Sequence, residues 1–172
     1  ADPGVRHDPV SILKVPNSNG DVLYQYHDTD GTKVLDSGIT FIISNILSDN
    51  GARTMEFGPS SVLNVPGRTV AVKTGTTDDK KDNWTMGYTP SVVVGVWVGN
   101  NDHTAMNQEI ASGITGASPI WQQIMIAALK GTPNETFQQP DNVVYTDVDG
   151  LMGGAPHGGS PTRKEYFIKG TE

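Results

Sequence analysis

"NVPGRTVAVKTGTTDDKKDNWTMGYTPSVVVGVWVGNND", residues 64–102, is the stretch that decides the fold. A short apolar run predicts a strand over 69–74, ending in the triplet Lys73-Thr74-Gly75. Trp84, Met86 and Tyr88 alternate with Thr85, Gly87 and Thr89, the period-two signature of a second strand. Pro90-Ser91 supplies the turn. "VVVGVWVG", residues 92–99, is apolar on both faces and predicts a strand covered from both sides. Short links between consecutive strands make an antiparallel meander. The link Asp78-Asp79-Lys80-Lys81-Asp82 reads as a solvated mixed-charge turn at the rim beside the triplet.

Upstream, "SILKVPNSNGDVLYQY" (residues 11–26) predicts a β-hairpin, with Asn17-Ser18-Asn19-Gly20 as turn chemistry between two apolar runs. "HDTDGTKVLDSG" reads as a polar loop. Asp36 then caps a helix that is expected to turn Ile39, Ile42, Ile43, Ile46 and Leu47 inward, with Gly51 at a left-handed stop. Downstream, residues 99–116 form a Gly/Asn-rich loop. Ser118 and Pro119 are expected at the N-cap and first position of a second helix, with Ile120, Trp121, Ile124, Ala128 and Leu129 on its buried face and Gly131 closing it. This order predicts a hairpin, a helix, a three-stranded antiparallel meander and a second helix. Residues 1–131 are expected to form the main unit and residues 132–172 a tail or small appendage.

Totals narrow the function. A net charge of −7 and a pI near 4.9 leave no basic footprint for nucleic acid. Cysteine is absent, which excludes disulfides and thiolate chemistry. No apolar run reaches the roughly 18 residues of a membrane helix. The chain opens on "ADPGVRHDP" without a Met, and is expected to be a piece of something longer.

Lys73-Thr74-Gly75-Thr76 suits recognition of an extended peptide. A strand edge offers backbone N–H and C=O groups, and Gly75 removes the side chain that would obstruct the approach. Lys73 brings positive charge for a carboxylate and for proton relay, the hydroxyls of Thr74 and Thr76 suit the same carboxylate, and the Thr76 N–H suits an oxyanion. Alone, the triplet also fits a strand end with no chemistry.

Longer words carry more. "VPGRTVAVKTGTT", "DNWTMGYTPSVVVGVWVGNND" and "SGITGASPIWQQIM", with "DPVSILKV", "NGDVLYQY" and "ISNILSDNGAR" upstream in order, resemble the transpeptidase domain of class A (bifunctional) penicillin-binding proteins over roughly residues 4–130. That resemblance implies an α+β fold, an antiparallel sheet with packed helices in the β-lactamase-like transpeptidase arrangement, here incomplete, and no cofactor. It implies an extracytoplasmic enzyme that crosslinks peptidoglycan stem peptides by serine acyl transfer and is trapped by β-lactams. Lys73, Thr74, Gly75 and Thr76 match the family's substrate-binding strand.

The family's nucleophile sits in a Ser-x-x-Lys motif, with a Ser-x-Asn motif beside it. Ser11-Ile12-Leu13-Lys14 and Ser48-Asp49-Asn50 fit those patterns as text. Residues three apart share a face on a helix but point oppositely on a strand, so a hairpin at Ser11 turns Lys14 away from it. Ser48 falls at a helix end. Both read as decoys, the catalytic serine is expected upstream with a glycosyltransferase domain and membrane anchor, and the chain alone is expected to be inactive. The alternatives are a non-catalytic, self-associating binding module, or a small serine enzyme using Ser11, Lys14, Ser48 and Lys73.

The other candidates have simpler readings. His7, His27, His103 and His157 lack metal-ligand spacing. Asp28-Thr29-Asp30-Gly31 and Asp147-Val148-Asp149-Gly150 read as turns rather than calcium loops. Trp84 and Trp97 are expected to anchor the core. Asn83-Trp84-Thr85 and Asn134-Glu135-Thr136 match a glycosylation sequon, which carries no meaning in a bacterial protein.

Overall fold

A computed structural model of the chain describes residues 3–107 and 111–172. It opens on four short strands, β1 (Val5–Arg6), β2 (Lys14–Pro16), β3 (Val22–Gln25) and β4 (Thr32–Lys33). The predicted hairpin is β2 paired antiparallel with β3, Val15 opposite Tyr24. Asn17 builds its turn: Oδ1 accepts the N–H groups of Asn19 and Asp21, each at 2.9 Å, and Gly20 takes φ +89°. The stretch expected to be only a polar loop contains β4, which pairs antiparallel with β1 as a two-stranded sheet separate from the hairpin.

Helix α1 (Ser37–Ser48) starts where predicted. The Asp36 carboxylate accepts from the Gly38 N–H at 2.8 Å and the Ile39 N–H at 3.4 Å. Its stop differs from expectation. Gly51 is not left-handed; Asp49 ends the helix in extended backbone, its N–H bonded to the carbonyls of Asn45 and Ile46. The expected inward face is also corrected. Gly38, Phe41 and Ser44 are buried, whereas Ile39, Ile43 and Ile46 are exposed. Small residues decide this: a Cβ at Gly38 would lie 2.5 Å from Ile168 and 2.9 Å from Val143, so only glycine permits the approach. A single turn, α2 (Thr54–Phe57), interrupts the following loop.

The meander is β5 (Ala71–Thr76), β6 (Asp82–Tyr88) and β7 (Val93–Gly99), antiparallel in the order β5-β6-β7. Helix α3 (Ala117–Ala128) covers one face. Trp121 and Met125, both at zero exposure, lie with Leu63, Val65, Val70, Val72, Val94 and Val96 in the core. Gly87 makes room, since a Cβ there would sit 2.3 Å from the Trp121 ring, and the indole N–H donates to the Val94 carbonyl at 3.2 Å. Three expectations about α3 are corrected. Gly116, not Ser118, is the N-cap; Ser118 is buried inside the first turn; and Ile120 and Ile124 are exposed while Met125 is buried. Residues 117, 121, 125 and 129 form the stripe that meets the sheet, and the isoleucines lie around the helix from it.

The other sheet face is covered only in part. Helix α1 packs against β5, with the Ser44 hydroxyl 2.9 Å from that of Tyr88. Beyond α1 and the Phe137 ring, which meets Tyr88 edge-on with centroids 5.6 Å apart, the face is open among the described residues. Trp84 and Trp97, expected in the core, are 44% and 39% exposed, and Val93 is 69% exposed. Thus β7 is buried on the α3 side alone, not on both. Beneath the strands, the buried positions of β6 are Asn83, Thr85 and Gly87.

Residues 132–172 contain a two-stranded ribbon, β8 (Val143–Asp149) and β9 (Thr162–Ile168), with Val143 opposite Ile168 and Asp149 opposite Thr162. It docks on α1 through an edge-to-face contact of Phe41 with Tyr166, centroids 5.0 Å apart, and through Asn142 Nδ2 donating to Asp36 at 2.8 Å. Among the described residues no helix is long and apolar enough to cross a membrane.

Candidate substrate-binding site

Because β5 is the first strand of its sheet, its outer edge carries no partner strand among the described residues. Lys73, Thr74, Gly75 and Thr76 occupy its last four positions. The register sorts their side chains. Lys73 stands in a row with Met86 and Gly95, and Gly75 with Trp84 and Trp97, on the open face. Thr74 stands with Thr85 and Val96, and Thr76 with Asn83 and Val98, on the α3 face. Lysine and threonines therefore flank the edge from opposite sides. A ligand that meets both must lie along the edge itself, in the plane of the sheet.

Lys73 is exposed and its Nζ donates to the Thr74 carbonyl at 2.7 Å. Thr76 is exposed, and its Oγ1 accepts the Gly113 N–H at 3.0 Å. Beside this edge lies a cleft of about 240 Å³, lined by Leu47, Asp49, Arg53, Leu63, Lys73 and Thr74 among others. Arg53 is a cation that motif reading passed over, although it ends the quoted word "ISNILSDNGAR". Its guanidinium donates to the Leu47 carbonyl at 2.5 Å and the Leu63 carbonyl at 3.5 Å, tying the end of α1 to the loop before β5. Burial lowers its pKa, opposed by the charge of Asp49.

The mixed-charge turn is not merely solvated. It forms a 3₁₀ turn, Asp78–Lys80, with φ +57° at Asp79 and +52° at Lys80. Asp82 anchors it from a side chain only 14% exposed. Its carboxylate accepts from Trp97 Nε1 at 2.8 Å and from the Thr77 hydroxyl at 3.0 Å, with His103 Nδ1 4.0 Å away. The Trp97 bond foremost holds the Asp82 pKa below the usual carboxylate value. So the end of β5, the β6 start and Trp97 are fixed to one another.

Ser11 is exposed in a non-helical stretch ahead of β2, and Lys14 opens that strand. Ser48 is the last residue of α1, its hydroxyl donating to the Asn45 carbonyl at 3.0 Å, and Asn50 Nδ2 donates to the Pro59 carbonyl at 3.3 Å. Of that triplet only Asp49 lines the cleft beside Lys73. Asp28 Oδ1 accepts the Thr29 N–H, and Asp149 Oδ1 accepts those of Leu151 and Met152, so both Asp-rich stretches use carboxylates as turn anchors. His157 Nδ1 lies 3.6 Å from Asp149. Of the Gly/Asn-rich loop, residues 108–110 fall outside the described residues.

No family model matches the chain. Penicillin-binding protein 1A of Mycobacterium tuberculosis is 37% identical over 166 residues, 87% of this chain and 18% of its own length. Penicillin-binding protein 2D of Bacillus subtilis is 31% identical over 100% of this chain and 25% of its own length. A crystal structure of penicillin-binding protein 1A from Haemophilus influenzae has the same fold over 99% of the chain and 30% of that structure, with a TM-score of 0.78 at 23% identity. The chain spans a quarter or less of the curated relatives it matches, between 14% and 25% of their length.

Proposed function

Since the chain belongs to the class A penicillin-binding protein family, we propose that it supplies the substrate-binding edge of a transpeptidase domain. The parent protein, anchored at the outer face of the bacterial plasma membrane, crosslinks peptidoglycan stem peptides. A serine hydroxyl attacks the donor's D-Ala-D-Ala amide, the terminal D-Ala leaves with the proton, and an amine of a neighbouring stem peptide takes the acyl group from the serine ester. One observation carries this reading: the outer edge of β5, without a partner strand among the described residues, has Lys73, Thr74, Gly75 and Thr76 on it. An extended peptide adds there as a further strand, and its carboxylate meets Lys73 and the threonine hydroxyls. The same groups hold the carboxylate of a β-lactam. The nucleophile comes from elsewhere in the parent, because Ser11 and Lys14 share no helix.

Intact-mass spectrometry after incubation with excess benzylpenicillin tests the division of labour. This chain is expected to gain no adduct, and a stoichiometric adduct on Ser11 would overturn it. In the full-length protein Lys73→Ala is expected to abolish acylation by penicillin, and unchanged acylation would sink the assignment. A second reading has its own support. Trp84, Met86, Val93 and Trp97 form an open apolar stretch on the sheet, and the outer edge of β7 has no partner among the described residues, so the isolated chain self-associates.

A further inference from the structure

We infer that Gly113 and Ser118 are positioning residues that orient the Thr76 hydroxyl toward a substrate carboxylate. The inference rests on the reading of β5 as the substrate edge. A hydroxyl has one proton to give and two lone pairs to accept with. At Thr76 one lone pair is engaged by the Gly113 N–H at 3.0 Å. With that N–H fixed as donor, the Thr76 proton cannot point at it and is directed away. Thr76 is exposed, so the outward direction is the β5 edge, where an anionic acceptor would lie.

Gly113 can reach Thr76 only because it is glycine. A Cβ there would stand 2.9 Å from the Thr74 Cβ and 3.3 Å from the carbonyl oxygens of Gly75 and Trp84. The loop before α3 thus runs directly beneath the triplet. It is held there from below. The Gly113 carbonyl accepts the Ser118 hydroxyl at 2.7 Å and the Ser118 N–H at 3.0 Å. Ser118 has zero exposure, and the Thr85 hydroxyl lies 2.8 Å from its own. The Thr85 hydroxyl also lies 3.4 Å from the Gly113 carbonyl, but the 2.7 Å contact gives that acceptor to Ser118 and leaves the Thr85 proton to its shorter contact with Ser118. A directed chain results: Thr85 to Ser118, Ser118 to the Gly113 carbonyl, and the Gly113 N–H to Thr76. It also explains why this serine is buried in the first turn of α3 rather than capping it.

The test uses the full-length protein and two probes, benzylpenicillin and its methyl ester, which lacks the carboxylate charge. The ratio of their second-order acylation rates reports carboxylate recognition alone. Thr76→Val is expected to lower that ratio roughly ten- to a hundredfold, the worth of a hydrogen bond to a charged group, whereas Thr76→Ser retains it. Ser118→Ala is expected to lower the ratio by about tenfold through loss of orientation, with the ester rate unchanged. Thr85→Val, a nearly isosteric change, reads the same chain if Ser118→Ala does not fold. If Thr76→Val lowers the ratio while Ser118→Ala and Thr85→Val leave it unchanged, or lower both rates equally, the positioning role is overturned and the substrate edge stands. If Lys73→Ala and Thr76→Val both leave the ratio unchanged, the substrate edge itself falls and this inference with it.

Discussion

Carboxylates do much of the local work. Asp36 caps α1 and receives Asn142, Asp82 joins the end of β5 to Trp97, and Asp149 closes the approach to the β8–β9 loop. All three are held below the ordinary value of 3.8 by the hydrogen bonds they accept: chiefly from Asn142 at Asp36, from Trp97 at Asp82, and from the Met152 and Leu151 N–H groups at Asp149. The sign follows directly. The unfolded chain takes up these protons at a higher pH than the folded one, so their stabilisation is full above 3.8 and is lost as pH falls through the lower folded values. Thermal melting between neutral and acid pH should therefore show a falling midpoint on the acid side. Asp149→Asn keeps an acceptor but removes the titration, so its acid limb should be shallower than that of the parent chain. Superimposable limbs would show that Asp149 contributes nothing to the acid sensitivity.

At the scale of elements, α1 has two stripes competing for the interior, and the small one wins. Its isoleucines give the stronger sequence signal, yet Gly38 and Ser44 let the backbone close on the ribbon and the sheet, with Phe41 filling the space between. Phe41, 7% exposed, should cost about 3–5 kcal/mol when replaced by Ala, in the range for buried aromatics. Ile43, 50% exposed, should cost no more than about 0.5 kcal/mol on the same change. Denaturant unfolding of the two variants measures both. Equal losses would place the isoleucine stripe in the interior after all.

For the whole molecule, the consequence is an unevenly finished sheet. Helix α3 covers one face, α1 covers part of the other, and the remainder exposes Trp84, Met86, Val93 and Trp97 beside the outer edge of β7, which has no partner strand among the described residues. Such an edge pairs with another strand when one is offered. Sedimentation of the isolated chain should give a mass that rises with concentration. Val93→Lys, which sets a charge on this edge at a 69% exposed position, should return it toward monomer. A strictly monomeric chain at high concentration would show that the open face does not drive association.

Much of this was readable along the chain, because local chemistry carries it. The hairpin follows from Asn17 and Gly20, the start of α1 from Asp36, and the three-strand order from alternation around Trp84 and short turns. The place of Lys73-Thr74-Gly75 at a strand end was likewise legible, since it closes an apolar run within long family-like words. The β1–β4 pair was not, being two residues on each side and held by a partner 28 positions away. Nor was the direction in which amphipathic elements face. Trp84 and Trp97 suggest core by size, and Ile39 and Ile43 by hydropathy, but a Cβ clash at Gly38 or Gly87 exists only once the neighbours are in place. Lys73 and Thr76 stood out by type, whereas Gly113 and Ser118 carry no signal in a linear reading. The Gly113 contact with Thr76 spans 37 residues and depends on a close backbone approach that only the folded chain creates, and Ser118 reaches Thr76 only through Gly113.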